Sequence, residues 1–460
     1  MKWGRILSGI AFAALVFLGV SAAGQPEKIV WTAAITALTA FWWMTEALPI
    51  PATSIVPFAL FPMAGVLDER QAAAALGSYV IILLMASFML SRALEKSGAH
   101  ERLALYMIKL VGVSGRRLVF GFMIASAALS MWISNTATAL ALSTMALAII
   151  ARAENPRLAA PLLLGIAYAA SLGGTGTLIG TPPNLIFADA YFKATGEEFT
   201  FVRWMAVGVP GVIIGVPLMA LWLTRSMGGV TAPMLKSPGP WRTEEIRTLT
   251  VFGLAVLAWI TRSEPFGGWG GLLGIEAAGD STVGILAVVL MFLVPDGKAG
   301  PDGKGGALLD WKTANDIPWG MLLLFAGGIC IASAFRASGL DLVIGEAMAG
   351  LAGAPMIGMI LGLCLAVTFL TEITSNTATA NLLMPLLAAV AAGAGLAPEL
   401  LMIPAAISCS CAFMLPVATA PNAIVYATGR VTIAEMAREG IMLNFIVAIV
   451  VTGVCWAMLT

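Results

Sequence analysis

The string Ser134-Asn135-Thr136-Ala137-Thr138-Ala139 returns unchanged, 241 residues later, as Ser375-Asn376-Thr377-Ala378-Thr379-Ala380. Each copy sets two hydroxyls and an amide within three residues, in the middle of a strongly apolar stretch. Polar side chains are costly in such surroundings unless they have partners. Hydroxyl and amide oxygens, with the free carbonyls of a helix end, suit a hard cation such as Na+. The free N–H groups that open a helix carry partial positive charge and suit an anion. A polar tip between two half-helices can hold both ions. Two copies point to one site built twice, as in many secondary transporters. Helix capping and interhelical hydrogen bonding are the plainer reading of a single copy.

Two further segments belong with the tips. Gly173-Gly174-Thr175-Gly176-Thr177, followed by Thr181-Pro182-Pro183-Asn184, cannot continue as a helix, because proline removes N–H donors and glycine admits unusual backbone angles. Gly180-Thr181-Pro182-Pro183-Asn184 aligns with Ala418-Thr419-Ala420-Pro421-Asn422, and Pro416 and Pro421 break the second copy. Such breaks are tolerated at membrane depth only where they line a cavity or pack against protein. No Lys, Arg or His lies in either tip or either break. A bound anion must therefore be balanced by dipoles, amides, hydroxyls and co-bound cations.

The elements that position these residues are membrane helices. The chain has 460 residues, is 59% hydrophobic and 11% charged, and has mean hydropathy +0.94. A surface of that composition needs a bilayer as solvent. Formal net charge is zero, which gives no sign of a nucleic-acid partner. One histidine and five scattered cysteines suggest neither a metal centre nor a disulfide framework, and Cys409-x-Cys411 reads as small packing residues. Phosphate-binding loops, dinucleotide fingerprints and nucleophile–base pairs are not seen, so no enzyme and no enzymatic cofactor is expected.

The fold expected is an all-α polytopic membrane protein, with about 11 transmembrane helices and two re-entrant hairpins in two inverted repeats. Spans are expected near 5–23, 29–48, 51–67, 78–94, 160–192, 200–224, 248–262, 282–295, 318–336, 400–428 and 440–458. The hairpins are 118–151 and 357–393, and the broken spans are 160–192 and 400–428. Residues 1–28 form a first span, 29–228 the first repeat and 229–460 the second. The first 24 residues resemble a signal peptide in layout and are read as an uncleaved span. Ser97-Gly98 and Ser338-Gly339 extend the repeat upstream, and 296–316 reads as a solvated connector.

With the N-terminus inside, nineteen of the 25 Lys and Arg residues fall on the cytoplasmic side, among them Arg92, Lys96, Arg116, Arg225, Lys236, Lys298 and Lys304. The first hairpin then opens to the cytoplasm and the second to the outside. Three acidic residues lie in apolar stretches. Glu46 is read as a cap beside Pro49 and Pro51, Glu372 as structural or as modulating a second cation site, and Asp189 is left open. Trp42, Trp43 and Trp132 are read as interfacial anchors or packing.

At the paired Ser-Asn-Thr strings and the Gly-Thr-Pro-Pro-Asn segment, the chain resembles the divalent anion:sodium symporter family, essentially over its whole length. The resemblance implies a homodimer in the cell's inner membrane, N-terminus cytoplasmic, whose transport part moves against a scaffold as an elevator. It implies a first sodium site at Ser130, Ser134, Asn135 and Gly180, and a second at Thr371, Ser375, Asn376 and Ala418. It implies that substrate carboxylates meet Asn135, Thr136, Asn376 and Thr377, with Thr181, Thr419 and Ala420 nearby. The expected function is sodium-coupled symport of C4-dicarboxylates such as succinate, malate or fumarate. The alternative is a proton-linked antiporter, or an oxyanion or tricarboxylate transporter or exchanger of the same superfamily. Ala420 departs from the second Thr-Pro-Pro-Asn common in similar transporters: it keeps an N–H and leaves a smaller wall.

Overall fold

The computed structural model describes residues 2–112, 115–152, 156–227, 239–263, 267–298, 305–348 and 355–460. Lys236, Lys304 and the Asp302-Gly303-Lys304 part of the expected connector lie outside the described residues. The described chain is all helix: α1 (Trp3–Ala22), α2 (Glu27–Thr45), α3 (Ile50–Ser54), α4 (Val56–Met63), α5 (Glu69–Ala74), α6 (Tyr79–Ser97), α7 (Ala99–Val111), α8 (Gly115–Ser130), α9 (Asn135–Ile150), α10 (Ala159–Gly173), α11 (Pro182–Thr195) and α12 (Phe201–Leu223). The second half holds α13 (Thr243–Ile260), α14 (Gly268–Leu273), α15 (Asp280–Leu293), α16 (Trp311–Asn315), α17 (Trp319–Ser338), α18 (Leu340–Met348), α19 (Met356–Thr371), α20 (Asn376–Gly393), α21 (Glu399–Cys409), α22 (Ala420–Ala427) and α23 (Ile433–Leu459). Among the described residues, 7 helices are long and apolar enough to cross a membrane. Shorter apolar helices, Asn135–Ile150, Met356–Thr371 and Glu399–Cys409, supply further parts of the hairpins and broken spans. The expected span 51–67 is not one helix: Pro51, Pro57 and Pro62 fall in two short helices, α3 and α4, that meet at Ile55.

The two halves repeat one order of elements: span, lateral helix, hairpin, broken span, long helix. Gly98 and Gly339 end α6 and α17 at φ +73° and +81°, a left-handed conformation that glycine adopts without a side-chain clash. The serine before each glycine completes the corner. Ser97 Oγ accepts from the Ala99 N–H at 3.2 Å, and Ser338 Oγ from the Leu340 N–H at 3.3 Å. The halves then interlock: α10 packs on α22 as α21 packs on α11, α9 on α22 as α20 on α11, and α12 on α23. Each broken span thus packs its first helix on its own half's hairpin and its second helix on the second arm of the other's. The lateral helices depart from this symmetry, because α7 packs on α8 whereas α18 packs on α20.

Ion pairs sort the loops into two faces. On one, Lys96 meets Asp310 at 2.6 Å, Arg102 meets Glu245 at 2.9 Å, and Arg225 meets Glu439 at 2.7 Å. Arg116, at the base of the first hairpin, donates to the Arg225 carbonyl at 3.4 Å on this face. On the other, Arg203 meets Glu399 at 3.1 Å just past the second hairpin, and Arg262 meets Glu198 at 3.0 Å. Helix α12 runs from Arg203 to just before Arg225, from one face to the other. The hairpins therefore enter from opposite faces, and the repeats are inverted.

Candidate functional site

Each hairpin tip presents an asparagine at the start of its second arm, and a hydroxyl from the first arm fixes that amide. In the first tip, Ser130 Oγ donates to Asn135 Oδ1. In the second, Thr371 Oγ1 donates to Asn376 Oδ1 at 2.7 Å. Ser130 and Thr371 are wholly buried and lie behind the tips. Ser134 caps α9 by accepting from the Ala137 N–H at 3.1 Å, which leaves its lone pairs shared between helix and site. Ser375 occupies the same N-cap position of α20 without a side-chain cap bond.

The breaks are held by a second pair of asparagines. Asn184 Nδ2 donates to the carbonyls of Gly174 at 3.0 Å and Thr177 at 2.7 Å. Asn422 Nδ2 donates to those of Ala412 at 3.1 Å and Leu415 at 3.0 Å, the same offsets of ten and seven residues. Each side chain satisfies carbonyls that the interrupted helix leaves free. The long helix of each repeat then closes on the break through a glycine. A Cβ on Gly208 would lie 2.4 Å from the Thr175 carbonyl oxygen, and one on Gly440 would lie 2.2 Å from that of Phe413.

Tips and breaks surround one cavity of about 700 Å³. Its lining includes Ser134, Asn135, Thr136, Gly180 and Thr181 from the first half, and Ser375, Asn376, Thr377, Ala418, Thr419 and Ala420 from the second. In the first half an oxygen cluster is evident. A Cβ on Gly174 would fall 2.8 Å from Asn135 Oδ1 and 3.1 Å from the Gly180 carbonyl, so the amide and carbonyl oxygens share a space that only glycine leaves open. The second half offers alanines, Ala412 and Ala418, at the corresponding places. Hydroxyl, amide and carbonyl oxygens are the ligands a hard cation takes. Among the described residues no group of three or more His, Cys, Asp or Glu gathers to hold a metal ion.

The two breaks touch beside the cavity, where Thr181 Oγ1 lies 3.2 Å from the buried Ser410 Oγ. Thr419 instead caps α22, accepting from the Asn422 N–H at 3.2 Å. Ala420 sits at the first turn of α22, where Pro182 opens α11. The residues set out from sequence therefore line one space or stand directly behind it.

Glu372 braces the second break. Its carboxylate accepts from the backbone N–H groups of Phe413 at 2.7 Å, Met414 at 2.9 Å and Leu415 at 3.1 Å, and from Asn444 Nδ2 at 2.8 Å. It stitches the second tip to its break and to α23. The first half reverses this bond: the Thr177 hydroxyl donates to the Met131 carbonyl. Asp189 stays outside the cavity, held by Ser78 Oγ at 3.1 Å and Lys193 at 3.3 Å. Glu46 ends α2 with φ +46°, its backbone N–H on the Trp42 carbonyl, and its residue lines the cavity mouth. Trp43 is packing, with Nε1 on Ser54 Oγ at 3.0 Å, and Trp132 lines the cavity.

One wall went unrecognised in the sequence. Ser87, Ser91, Arg92 and Glu95 of α6 line the cavity, with Asp316 after α16. Ser91 Oγ accepts from the Ser134 N–H at 3.3 Å and so touches the first tip. The signal was a polar stripe at helical spacing, Ser87-Ser91-Glu95, within an otherwise apolar span.

Residues 40–402 match the citrate transporter family. The chain belongs to this family. It is a multi-span membrane transporter of the divalent anion:sodium symporter type, not an enzyme. Similar proteins include the sodium-dependent dicarboxylate transporter SdcS of Staphylococcus saprophyticus, 38% identical over 98% of this chain and 91% of that protein. The protein of the same name from Staphylococcus aureus is 36% identical over 97% of this chain and 89% of its own. Among solved structures, the YdaH transporter of Alcanivorax borkumensis aligns with TM-score 0.59 over 94% of this chain and 98% of that one. At 14% identity, that likeness concerns the fold.

Proposed function

We propose that this transporter couples the movement of sodium ions to uptake of C4-dicarboxylates such as succinate, malate or fumarate. The observation that carries the reading is the pair of tip amides, Asn135 and Asn376, facing one cavity. Each is oriented by a buried hydroxyl of its own repeat, and neither tip nor break carries a basic side chain. A dianion held there has helix N-termini and co-bound cations as its counter-charges, so cation and anion stabilise each other. The names of the staphylococcal relatives agree with this chemistry. Sodium site one is assigned to Ser130, Ser134, Asn135 and Gly180, and site two to Thr371, Ser375, Asn376 and Ala418. Thr136, Thr181, Thr377, Thr419 and Ala420 complete the substrate wall.

The repeats are bounded as 29–228 and 229–460, after a first span over 1–28. The N-terminus is cytoplasmic and the protein resides in the inner membrane as a homodimer. The cavity mouth, at Glu46, Arg92, Glu95 and Asp316, lies on the first hairpin's face, so this is an inward-open state. The cross-packed hairpins and broken helices move together past α6, α13 and α15, which pack on one another.

Calorimetry tests the coupling. Succinate binding in sodium buffer weakens by roughly 5- to 150-fold when potassium replaces sodium, the usual span of a coupling free energy. Equal affinity in both buffers would instead favour a proton-linked antiporter or an exchanger of the same superfamily.

A further inference from the structure

Arg92 is the only basic side chain among the described residues that line the cavity. It sits at the mouth, away from both tips, and its charge is masked. Nη1 meets Glu95 Oε2 at 2.7 Å and Nη2 contacts Asp316, while Nε is buried without a hydrogen bond. The two partners differ. Glu95 is largely buried and also accepts from Ser91 Oγ at 3.2 Å, whereas Asp316 is 71% exposed. An ion pair to so exposed a carboxylate contributes little net stability and is readily exchanged. A guanidinium is suited to carboxylates, with several donors in one plane.

We propose that Arg92 is a carboxylate-recognition subsite at the cavity mouth, where the transported anion displaces Asp316 before reaching the tips or after leaving them. The mouth lining also carries Glu46, Glu95 and Asp316, so among the described residues Arg92 is its one basic side chain against three acidic ones. Exchange on Arg92 keeps the count of ion pairs constant: one carboxylate leaves as another binds. Ser91, the neighbour of Arg92 on α6, accepts from the Ser134 N–H, so one helix links the mouth to the first tip. The proposal rests on the dicarboxylate reading above.

The structure supplies a control. Helix α16 is pinned to α6 twice, by Arg92–Asp316 inside the cavity lining and by Lys96–Asp310 at 2.6 Å outside it. A merely structural role makes the two pins equivalent. The test is sodium-driven succinate uptake in proteoliposomes by the wild type, R92Q, R92K, D316N, K96Q and D310N. Removing a charge-assisted hydrogen bond predicts that R92Q raises KM by roughly 10-fold or more at near-unchanged kcat. R92K recovers part of this loss, and D316N lowers KM by exposing the guanidinium. K96Q and D310N leave KM where it was. R92Q matching K96Q, or D316N leaving KM unchanged, overturns the proposal. D316N keeps it falsifiable where R92Q does not fold. Failure of the wild type to take up succinate would instead overturn the dicarboxylate reading.

Discussion

Asn135→Ala and Asn376→Ala each abolish succinate uptake while leaving the melting temperature and the elution volume of the purified protein near those of the wild type. Each amide lies at a cavity-facing tip, and its oxygen is held by a single hydroxyl, from Ser130 or Thr371. Truncation removes a donor and an acceptor from the place where cation and carboxylate meet. A hydrogen bond to a charged partner contributes about 1.5–3 kcal/mol, so affinity falls roughly 10- to 100-fold for each such bond removed. Each amide is available to both ions, and the two effects compound. Asn184 and Asn422 are different in kind, since their amides bridge backbone carbonyls inside the breaks and serve the architecture. Uptake near the wild-type rate by either tip mutant would overturn the site assignment.

The second large effect is expected at Glu372. Three consecutive N–H groups and the Asn444 amide converge on one buried carboxylate. Glu372→Gln replaces an acceptor oxygen with a donor facing donors. Each buried N–H left unpaired costs about 1–3 kcal/mol. Thermal unfolding shifts downward, and succinate binding weakens with it, because Glu372 opens the short turn between α19 and α20 that ends at Asn376. Mild thermal destabilisation with intact binding would show that the break keeps its shape without the carboxylate. Wild-type stability would remove the structural role altogether.

The fold was legible because apolar length and exact duplication are properties of single residues and short strings. The repeated tip string marks both hairpins, and Gly98 and Gly339 mark both corners at the spacing of the tips. Proline and glycine marked both breaks. The stitches were not legible. Glu372 stands opposite Met131 in the alignment, and only the folded chain shows that the first half makes the reciprocal bond from Thr177. The α6 wall was hidden for another reason. Arg92 and Asp316 are 224 positions apart, and their meeting depends on how α16 folds back over α6. The span near 51–67 was misjudged because hydropathy measures length and polarity, whereas three prolines decide where a helix stops.

The central claim is that two hairpins entering from opposite faces enclose one site that is exposed first to one side and then to the other. Single cysteines at the hairpin bases test it most directly, at Arg117 for the first and Pro355 for the second. The five native cysteines, all buried, are replaced in this background. A membrane-impermeant thiol reagent applied outside intact cells labels position 355 and spares position 117. The reverse pattern would turn the assigned orientation over. Labelling of both positions from one side would contradict the account, because hairpins that share a face cannot present one cavity to the two sides of the membrane in turn.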